Sequence, residues 1–198
     1  MQTLHTLTQS AIPGRRAARG LAAAACLAAL LFAPAGSTWA IGGANGATLT
    51  KDSKVALSDV RWMEKAARMG AAEVAGAKLA LAQSQRNDIR GFAKTMIEEY
   101  TKANEELKSL GERKGVMLPD APDSAHTKLL QKLTLLNGPA FDREYMNRLG
   151  TRDHTNAAKL YEDGVTYLKD LDIKEYATRN LPQMRRRFDM VRDIKPVD

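Results

Sequence analysis

The stretch that decides the fold is Asn87–Lys114, NDIRGFAKTMIEEYTKANEELKSLGERK. Its apolar and aromatic side chains recur at alternating intervals of four and three residues. They are Ile89, Ala93, Met96, Tyr100, Ala103, Leu107 and Leu110. This spacing puts one stripe on one face of an α-helix, as in the seam of a packed bundle. The sequence therefore predicts a long helix that is capped at Asn87 and ended by Gly115.

Helical periodicity continues on both sides of this stretch. No segment alternates with period two for long enough to predict a strand. Four further helices are predicted, over about Ser58–Ser84, Ser124–Leu136, Gly138–Leu168 and Asp172–Ile194. Pro182 lies inside the last of them and is expected to kink it, because proline has no backbone N–H to donate.

The connections between these helices predict how they are arranged. The first two long helices are joined by a tight turn, as are the last two, whereas the middle connection, residues 115–139, is long. A long middle connection can cross the bundle and place the second and third long helices parallel. We therefore predict an all-α fold, a ferritin-like four-helix bundle with a short crossover helix between the second and third long helices.

The first 40 residues have the pattern of a signal peptide. Arg15, Arg16 and Arg19 form a basic start, and Leu21–Ala33 is an apolar run too short to span a bilayer well. Thr38-Trp39-Ala40 ends in a small residue and is a plausible cleavage site. An uncleaved anchor is the competing interpretation. Residues 41–57 are predicted to be a flexible linker and residues 58–194 the helical bundle, which gives a periplasmic or secreted protein.

Composition narrows the function classes. The chain has 198 residues, a formal net charge of +7 and one cysteine, which excludes an internal disulfide and a cysteine-rich metal cluster. Part of the positive charge lies in the leader, so the remainder is too mildly basic to predict nucleic-acid binding. No segment after the leader is long and apolar enough for a membrane span.

The C-terminal end is locally basic. Its cations are Arg179, Arg185, Arg186, Arg187, Arg192 and Lys195. This end could contact an anionic lipid, a cell-wall polymer or another envelope protein. Acids such as Asp189 and Asp193 interrupt it, so it could equally be an ordinary solvated face.

Polar residues interrupt the apolar stripes at similar heights. They are Glu73, Tyr100, Asp153, His154 and Arg187. We predict that they form a buried polar layer in which Glu73 pairs with Arg187, because an isolated buried charge is costly. Such a layer could fix the register of the helices, or it could bind a ligand or metal.

Catalytic motifs are missing from the sequence. It has no Glu-x-x-His repeat of the di-iron type, no Gly-x-Ser-x-Gly and no phosphate-binding glycine loop. We therefore expect a protein without enzymatic activity, and no cofactor is predicted.

The stretch from Ala71 to Val191 resembles a bacterial family, the domain of unknown function 4142. The matching pieces are Ala72-Glu73-Val74, Lys78-Leu79-Ala80, Thr101-Lys102-Ala103-Asn104, Lys114-Gly115-Val116, Leu118-Pro119, Phe141-Asp142-Arg143, Asp153-His154 and Leu181-Pro182. The resemblance implies an exported, ferritin-like helical protein.

The resemblance also bears on metal binding. The family tends to have Asp-His where this chain has Glu99-Tyr100, and another histidine where it has Arg187, while His126 and His154 match family histidines. Glu73, His126 and His154 are therefore candidate metal ligands, whereas arginine stays protonated and cannot act as an ordinary ligand. We expect a non-enzymatic binding or structural role in the cell envelope. The alternative is a metal-binding or redox protein with a degenerate His/carboxylate site.

Overall fold

The computed structural model describes residues 38–41, as backbone only, and residues 46–195. Most of the predicted signal peptide, and with it the choice between cleavage and anchoring, lies outside the described residues. The elements in chain order are β1 Thr38–Ile41, β2 Ala47–Thr50, α1 Leu57–Gln83, α2 Asn87–Arg113, β3 Val116–Met117, α3 Ser124–Thr134, α4 Gly138–Tyr145, a π-helical segment Met146–Asp153, α5 His154–Tyr167 and α6 Leu171–Asp193.

The helices begin and end within a few residues of their predicted bounds. Asn87 is not the predicted cap, because it is the first residue of α2 and the cap position is held by Arg86 without a side-chain hydrogen bond. Helix α3 begins at Ser124, as predicted, and α6 begins at Leu171; each is capped by the aspartate that precedes it. The Asp123 carboxylate accepts from the backbone N–H of His126 at the start of α3, and Asp170 accepts from Asp172 and Ile173 at the start of α6. Such caps satisfy backbone donors that the first helical turn leaves unpaired. Helix α6 continues through Pro182.

A small antiparallel sheet corrects the prediction that the chain has no strands. Strand β2 pairs with β1 on one side and with β3 on the other, and the Thr50 N–H donates to the Gly115 carbonyl at 2.9 Å. Ala47, Val60 and Val116 are fully buried together beneath it. Residues 47–50, predicted to be part of a flexible linker, therefore form a strand that holds the chain against the end of α2.

The long helices pack antiparallel to their neighbours. On the α1–α5 side, the Trp62 indole N–H donates to the Leu160 carbonyl at 2.8 Å, and Glu73 lies beside His154. On the α2–α6 side, the Tyr176 hydroxyl donates to the Ala103 carbonyl at 2.9 Å. The structure is thus mostly helical, with α1 packed on α2 and α5 packed on α6 as hairpins.

The third long helix is not a regular α-helix over its predicted length. Its middle, Met146–Asp153, is π-helical and connects α4 to α5. Gly76 on α1 accommodates this segment, because a β-carbon there would overlap the Leu149 side chain. π-Helical turns are uncommon and occur often at functional sites. This one ends where the predicted polar residues Asp153 and His154 enter the bundle.

None of the described helices is both long and apolar enough to cross a membrane.

Candidate functional site

Four of the five predicted polar residues meet inside the bundle. We call Glu73, Tyr100, His154 and Arg187 the interior cluster; each is at most 3% exposed. Glu73 Oε1 lies 3.9 Å from His154 Nδ1, and the Tyr100 and His154 ring centroids are 5.9 Å apart. The Arg187 guanidinium carbon lies 4.2 Å from the centre of the Tyr100 ring, within the range of a cation–π contact. One residue from each long helix therefore contributes to the cluster.

The π-helical segment fixes the orientation of His154. Its Nδ1 lies 2.8 Å from the carbonyl oxygen of Leu149, so this nitrogen is the donor of the pair. Its Nε2 lies 3.2 Å from the thioether sulfur of Met96 on α2. Burial lowers the pKa of His154 to about 4, because a charged imidazolium is disfavoured away from water. His154 is thus a neutral imidazole whose protonated nitrogen is held by the backbone.

Glu73 does not form the predicted ion pair with Arg187. Neither carboxylate oxygen of Glu73 has a hydrogen-bond partner among the described residues. Burial, and then the negative charge of Asp153, raise the pKa of Glu73 well above its usual value. A buried carboxyl group without partners is rare in native proteins, and it marks a position that packing alone does not explain.

Arg187 pairs instead with Glu99, a residue that the helical stripe did not select. The Arg187 Nε donates to Glu99 Oε2 at 2.8 Å, and Arg186 also bonds Glu99. Burial opposes ionisation of Glu99, but the two arginines outweigh it and hold the pKa of Glu99 below its ordinary value. Glu99 is next to Tyr100 and lies off the apolar stripe. The long arginine side chain reaches across to it, so residue spacing gave no signal for this pair.

Tyr145 adds an unpartnered hydroxyl to the interior. The side chain is fully buried, and its hydroxyl oxygen has no hydrogen-bond partner among the described residues. Burial, and then the proximity of Glu73, raise the pKa of Tyr145 well above its usual value.

Asp153, the fifth predicted polar residue, is not part of the interior cluster and instead contacts His126 at the edge of the bundle. His126 Nδ1 lies 2.8 Å from Asp123 Oδ2, and its Nε2 lies 3.1 Å from Asp153 Oδ2. The hydrogen bond to Asp153 is the main cause that raises the pKa of His126, against the opposing effect of burial. We call these three residues the edge triad. It ties the start of α3 to the third long helix.

The structure does not bring the predicted metal ligands Glu73, His126 and His154 together. Both ring nitrogens of His126 face carboxylates of the edge triad, while His154 presents only its bonded Nδ1 to Glu73. Within residues 46–195, no three His, Cys, Asp or Glu side chains are placed to hold a metal. The shared His/carboxylate ligand set expected for these three residues is therefore not assembled in this structure.

A groove of about 490 Å³ lies on the outer face of α1 and α2, beneath the loop after β3. Its floor is formed by small or apolar side chains: Ala67, Ala71, Val74, Ala75, Leu118 and Pro119. Its rim is polar: Lys78, Thr101, Asn104, Glu105, Lys108 and Asp120. The ion pair between Lys108 and Asp120, at 2.9 Å, ties the loop to α2 across the rim.

The predicted basic end of the chain is largely paired with acids. Arg185 bonds Glu162, Arg179 approaches Glu106 and Glu175, and Arg192 approaches Asp189. With Arg187 turned inward, the consecutive arginines point to different sides of α6. These pairs compete with any anionic partner for the same cations.

Comparison with solved structures finds a similar fold. A Streptomyces coelicolor protein, described as "putative secreted protein DUF305", matches with a TM-score of 0.57 and 14% identity. The match covers 69% of this chain and 89% of that one, and at this identity it indicates a similar fold and nothing more. No curated protein matches the chain. Residues 44–194 match the model of DUF4142, a domain of unknown function, and the chain therefore belongs to that family.

Proposed function

We propose that this protein is a non-catalytic binding protein of the bacterial cell envelope, and that the groove on α1 and α2 is its ligand-binding surface. The observation that carries this proposal is the groove itself, an apolar floor with a polar rim on an otherwise highly charged surface. Clefts of a few hundred cubic ångströms with an apolar lining and a few polar groups are typical of small-molecule sites.

The groove chemistry suggests the class of ligand. Three alanines one turn apart, Ala67, Ala71 and Ala75, leave room for an apolar body close to the α1 backbone. Lys78 at the rim suits an anionic head group, since Lys108 is already paired with Asp120, and Asn104 can donate or accept a hydrogen bond. A small amphiphile with an apolar body and a negative end fits this pattern.

The burial of the polar groups supports a function without catalysis. His154 and Glu73 are 0% and 1% exposed, so a substrate in solvent does not meet them in this conformation. His126, the more exposed histidine, has both nitrogens engaged by carboxylates. General acid–base chemistry needs a titratable group within reach of the substrate.

A ferritin-like arrangement of the helices is part of the proposal. Helix α1 runs antiparallel to α5, since Trp62 contacts Leu160 whereas the later Glu73 approaches the earlier His154. Helix α2 runs antiparallel to α6, since Ala103 bonds Tyr176 whereas the earlier Glu99 bonds the later Arg187. This pairing supports a crossover connection through α3.

Export to the periplasm or the cell exterior is also proposed. The basic start, the short apolar run and the small residue Ala40 support it. The similar solved structure is described as secreted, and the match to the family model begins at residue 44, after the leader. Amino-terminal sequencing of protein recovered from the periplasm is expected to give a chain that starts near Ile41, whereas a retained leader would contradict export by cleavage.

The alternative function, a metal-binding or redox protein with a degenerate His/carboxylate site, has less support. Glu73 approaches His154 through Nδ1, the nitrogen already bonded to the Leu149 carbonyl, so the two cannot share a metal in this arrangement. The edge triad likewise leaves His126 without a free nitrogen.

A fluorescence experiment tests the groove. Anilinonaphthalene sulfonate, an apolar dye with one negative group, is expected to bind the folded protein with increased fluorescence. The variant Ala71→Trp fills the floor and should abolish that increase, whereas Ala140→Trp, at an exposed position outside the groove, should leave it unchanged. A fully unfolded chain binds little of this dye, so circular dichroism of both variants is needed to show that they remain folded. Equal dye binding by both variants would contradict the proposal.

A further inference from the structure

The tautomer of His154 leaves one ring nitrogen with a free electron pair. A carbonyl oxygen only accepts hydrogen bonds, so Nδ1 carries the proton that bonds the Leu149 carbonyl. In a neutral imidazole the other nitrogen, Nε2, is then an acceptor. A backbone bond of this kind is how metal-binding histidines are usually held, because it fixes both the tautomer and the ring plane.

The group that faces Nε2 has no proton to give. It is the thioether sulfur of Met96, at 3.2 Å, and the contact is fully buried. Two electron-pair donors therefore face each other inside the bundle, and an electron-pair acceptor between them would stabilise this arrangement. The candidates are a proton and a metal cation.

Charge in the surroundings favours one added cation. Glu73 lies on the opposite side of the imidazole, 3.9 Å from Nδ1, and neither of its oxygens has a hydrogen-bond partner among the described residues. The charge of Arg187 is already balanced by Glu99. A single positive charge at Nε2 would favour release of the Glu73 proton and would be balanced by the carboxylate that results, whereas a divalent ion would leave the interior with an excess of positive charge.

We propose that His154 and Met96 form an internal binding site for a soft monovalent cation of the Cu(I) type. Imidazole and thioether are ligands that Cu(I) accepts, while hard cations prefer carboxylate oxygens. Bonds of about 2.0 Å to nitrogen and 2.3 Å to sulfur span up to about 4.3 Å when linear. The 3.2 Å contact is about 1 Å too short for a linear site, so the sulfur must move by about 1 Å on binding, which the unbranched methionine side chain allows.

The His154–Met96 site shares no residue with the groove, so the cation-binding proposal and the groove proposal are tested separately. The test is titration of the purified, metal-free protein with Ag(I), and with Cu(I) under reducing conditions. We expect one ion per chain and a melting temperature that rises with ion concentration. In protein labelled at the methionine methyl groups, the Met96 signal should shift on binding.

Two conservative variants separate the site from other methionines. Met96→Leu keeps the core volume and should weaken binding at least tenfold, whereas Met63→Leu, at another fully buried methionine on α1, should change it by less than twofold. Glu73→Gln should also weaken binding, since it removes the counter-charge. Failure to bind either ion would overturn the proposal, as would equal affinity in Met96→Leu or a shift confined to other methionine signals.

Discussion

At the scale of single residues, the interior is built around one uncompensated acid. Glu73 is buried among aromatic rings, a neutral imidazole and an arginine that another glutamate already neutralises. Its folded-state pKa lies well above its value in the unfolded chain, so the folded state keeps a proton that the unfolded state has lost. For such a group, stability falls as the pH rises above the unfolded-state pKa of about 4.5.

The change Glu73→Gln is therefore expected to stabilise the metal-free protein, and more strongly at pH 8 than at pH 5. Glutamine keeps the shape but carries no ionisable group, so its cost of burial does not grow with pH. Urea unfolding of the two proteins at both pH values measures the effect. Glu98→Gln, at an exposed neighbouring position on α2, is the control and should change little. An equal effect of Glu73→Gln at both pH values would contradict the raised pKa.

At the scale of elements, two kinds of contact hold the helices in register: notches at glycines and polar ties between helices. Gly164 on α5 provides a notch for the Trp62 indole, and a β-carbon there would lie 2.7 Å from Trp62 Nε1. The indole cannot easily turn away, because the same nitrogen donates to the Leu160 carbonyl. The edge triad ties α3 to the helix that carries Asp153.

We expect Gly164→Ala to destabilise the protein by about 1–3 kcal/mol, the usual effect of overpacking a core. Gly91→Ala is the matched change, since Gly91 is an exposed residue of α2 with nothing within 4 Å of an added β-carbon. It should stabilise the protein by about 0.5–1 kcal/mol, because alanine favours the helix over glycine. Chemical denaturation measures both. A neutral Gly164→Ala would mean that the α1–α5 interface is loosely packed.

The edge triad should make the folded state less stable as the pH rises, whereas a buried neutral histidine has the opposite effect. The pKa of His126 is raised in the folded state, so its contribution is fully present below the unfolded-state value of about 6.5 and is lost as the pH rises through the folded-state value. Both neighbouring carboxylates, Asp123 and Asp153, favour the charged form of the His126 ring. The triad lines a pocket of about 350 Å³, and Lys65 and Lys159, which line it too, carry positive charges that oppose the charged ring.

His126→Gln should therefore destabilise the protein at pH 6 and have much less effect at pH 9. The measurement is the difference in melting temperature between the two proteins across this range. Thr127→Ala, on the same turn of α3, controls for loss of a local helix contact, because its hydroxyl bonds only the Asp123 carbonyl among the described residues and does not titrate in this range. A constant difference between His126→Gln and the native protein would show that the ring is not charged at pH 6.

At the scale of the whole molecule, the apolar stripes predicted the helices and most of the interior cluster, but not the features that break the pattern. Glu73, Tyr100, His154 and Arg187 lie on or beside those stripes, so burial followed from spacing. The π-helical segment left no signal, because its buried residues Met146, Leu149 and Asp153 have intervals of three and four that an α-helix also gives. Strands of four and two residues are too short for a period-two test. Partners such as Glu99 and Met96 depend on side-chain reach, which residue spacing does not encode.

The short sheet is predicted to matter more for the stability of the whole molecule than its size suggests. Strand β2 fixes the end of α2 through the Thr50–Gly115 hydrogen bond, and its Ala47 completes a fully buried cluster with Val60 and Val116. Strand β1 contacts β2 at the sheet edge, and cleavage after Ala40 would remove three of its four residues. A chain cleaved there would keep only the pairing between β2 and β3.

A chain that begins at Ile41 should unfold at nearly the same temperature as one that begins at Thr38. A chain that begins at Lys51 should lose about 2–3 kcal/mol, because it gives up a buried alanine and several backbone hydrogen bonds worth about 1 kcal/mol each. Thermal unfolding of the three proteins, followed by circular dichroism, measures the difference. If the chain from Lys51 melts with the others, residues 47–50 act only as a linker and the sheet has no part in holding the bundle together.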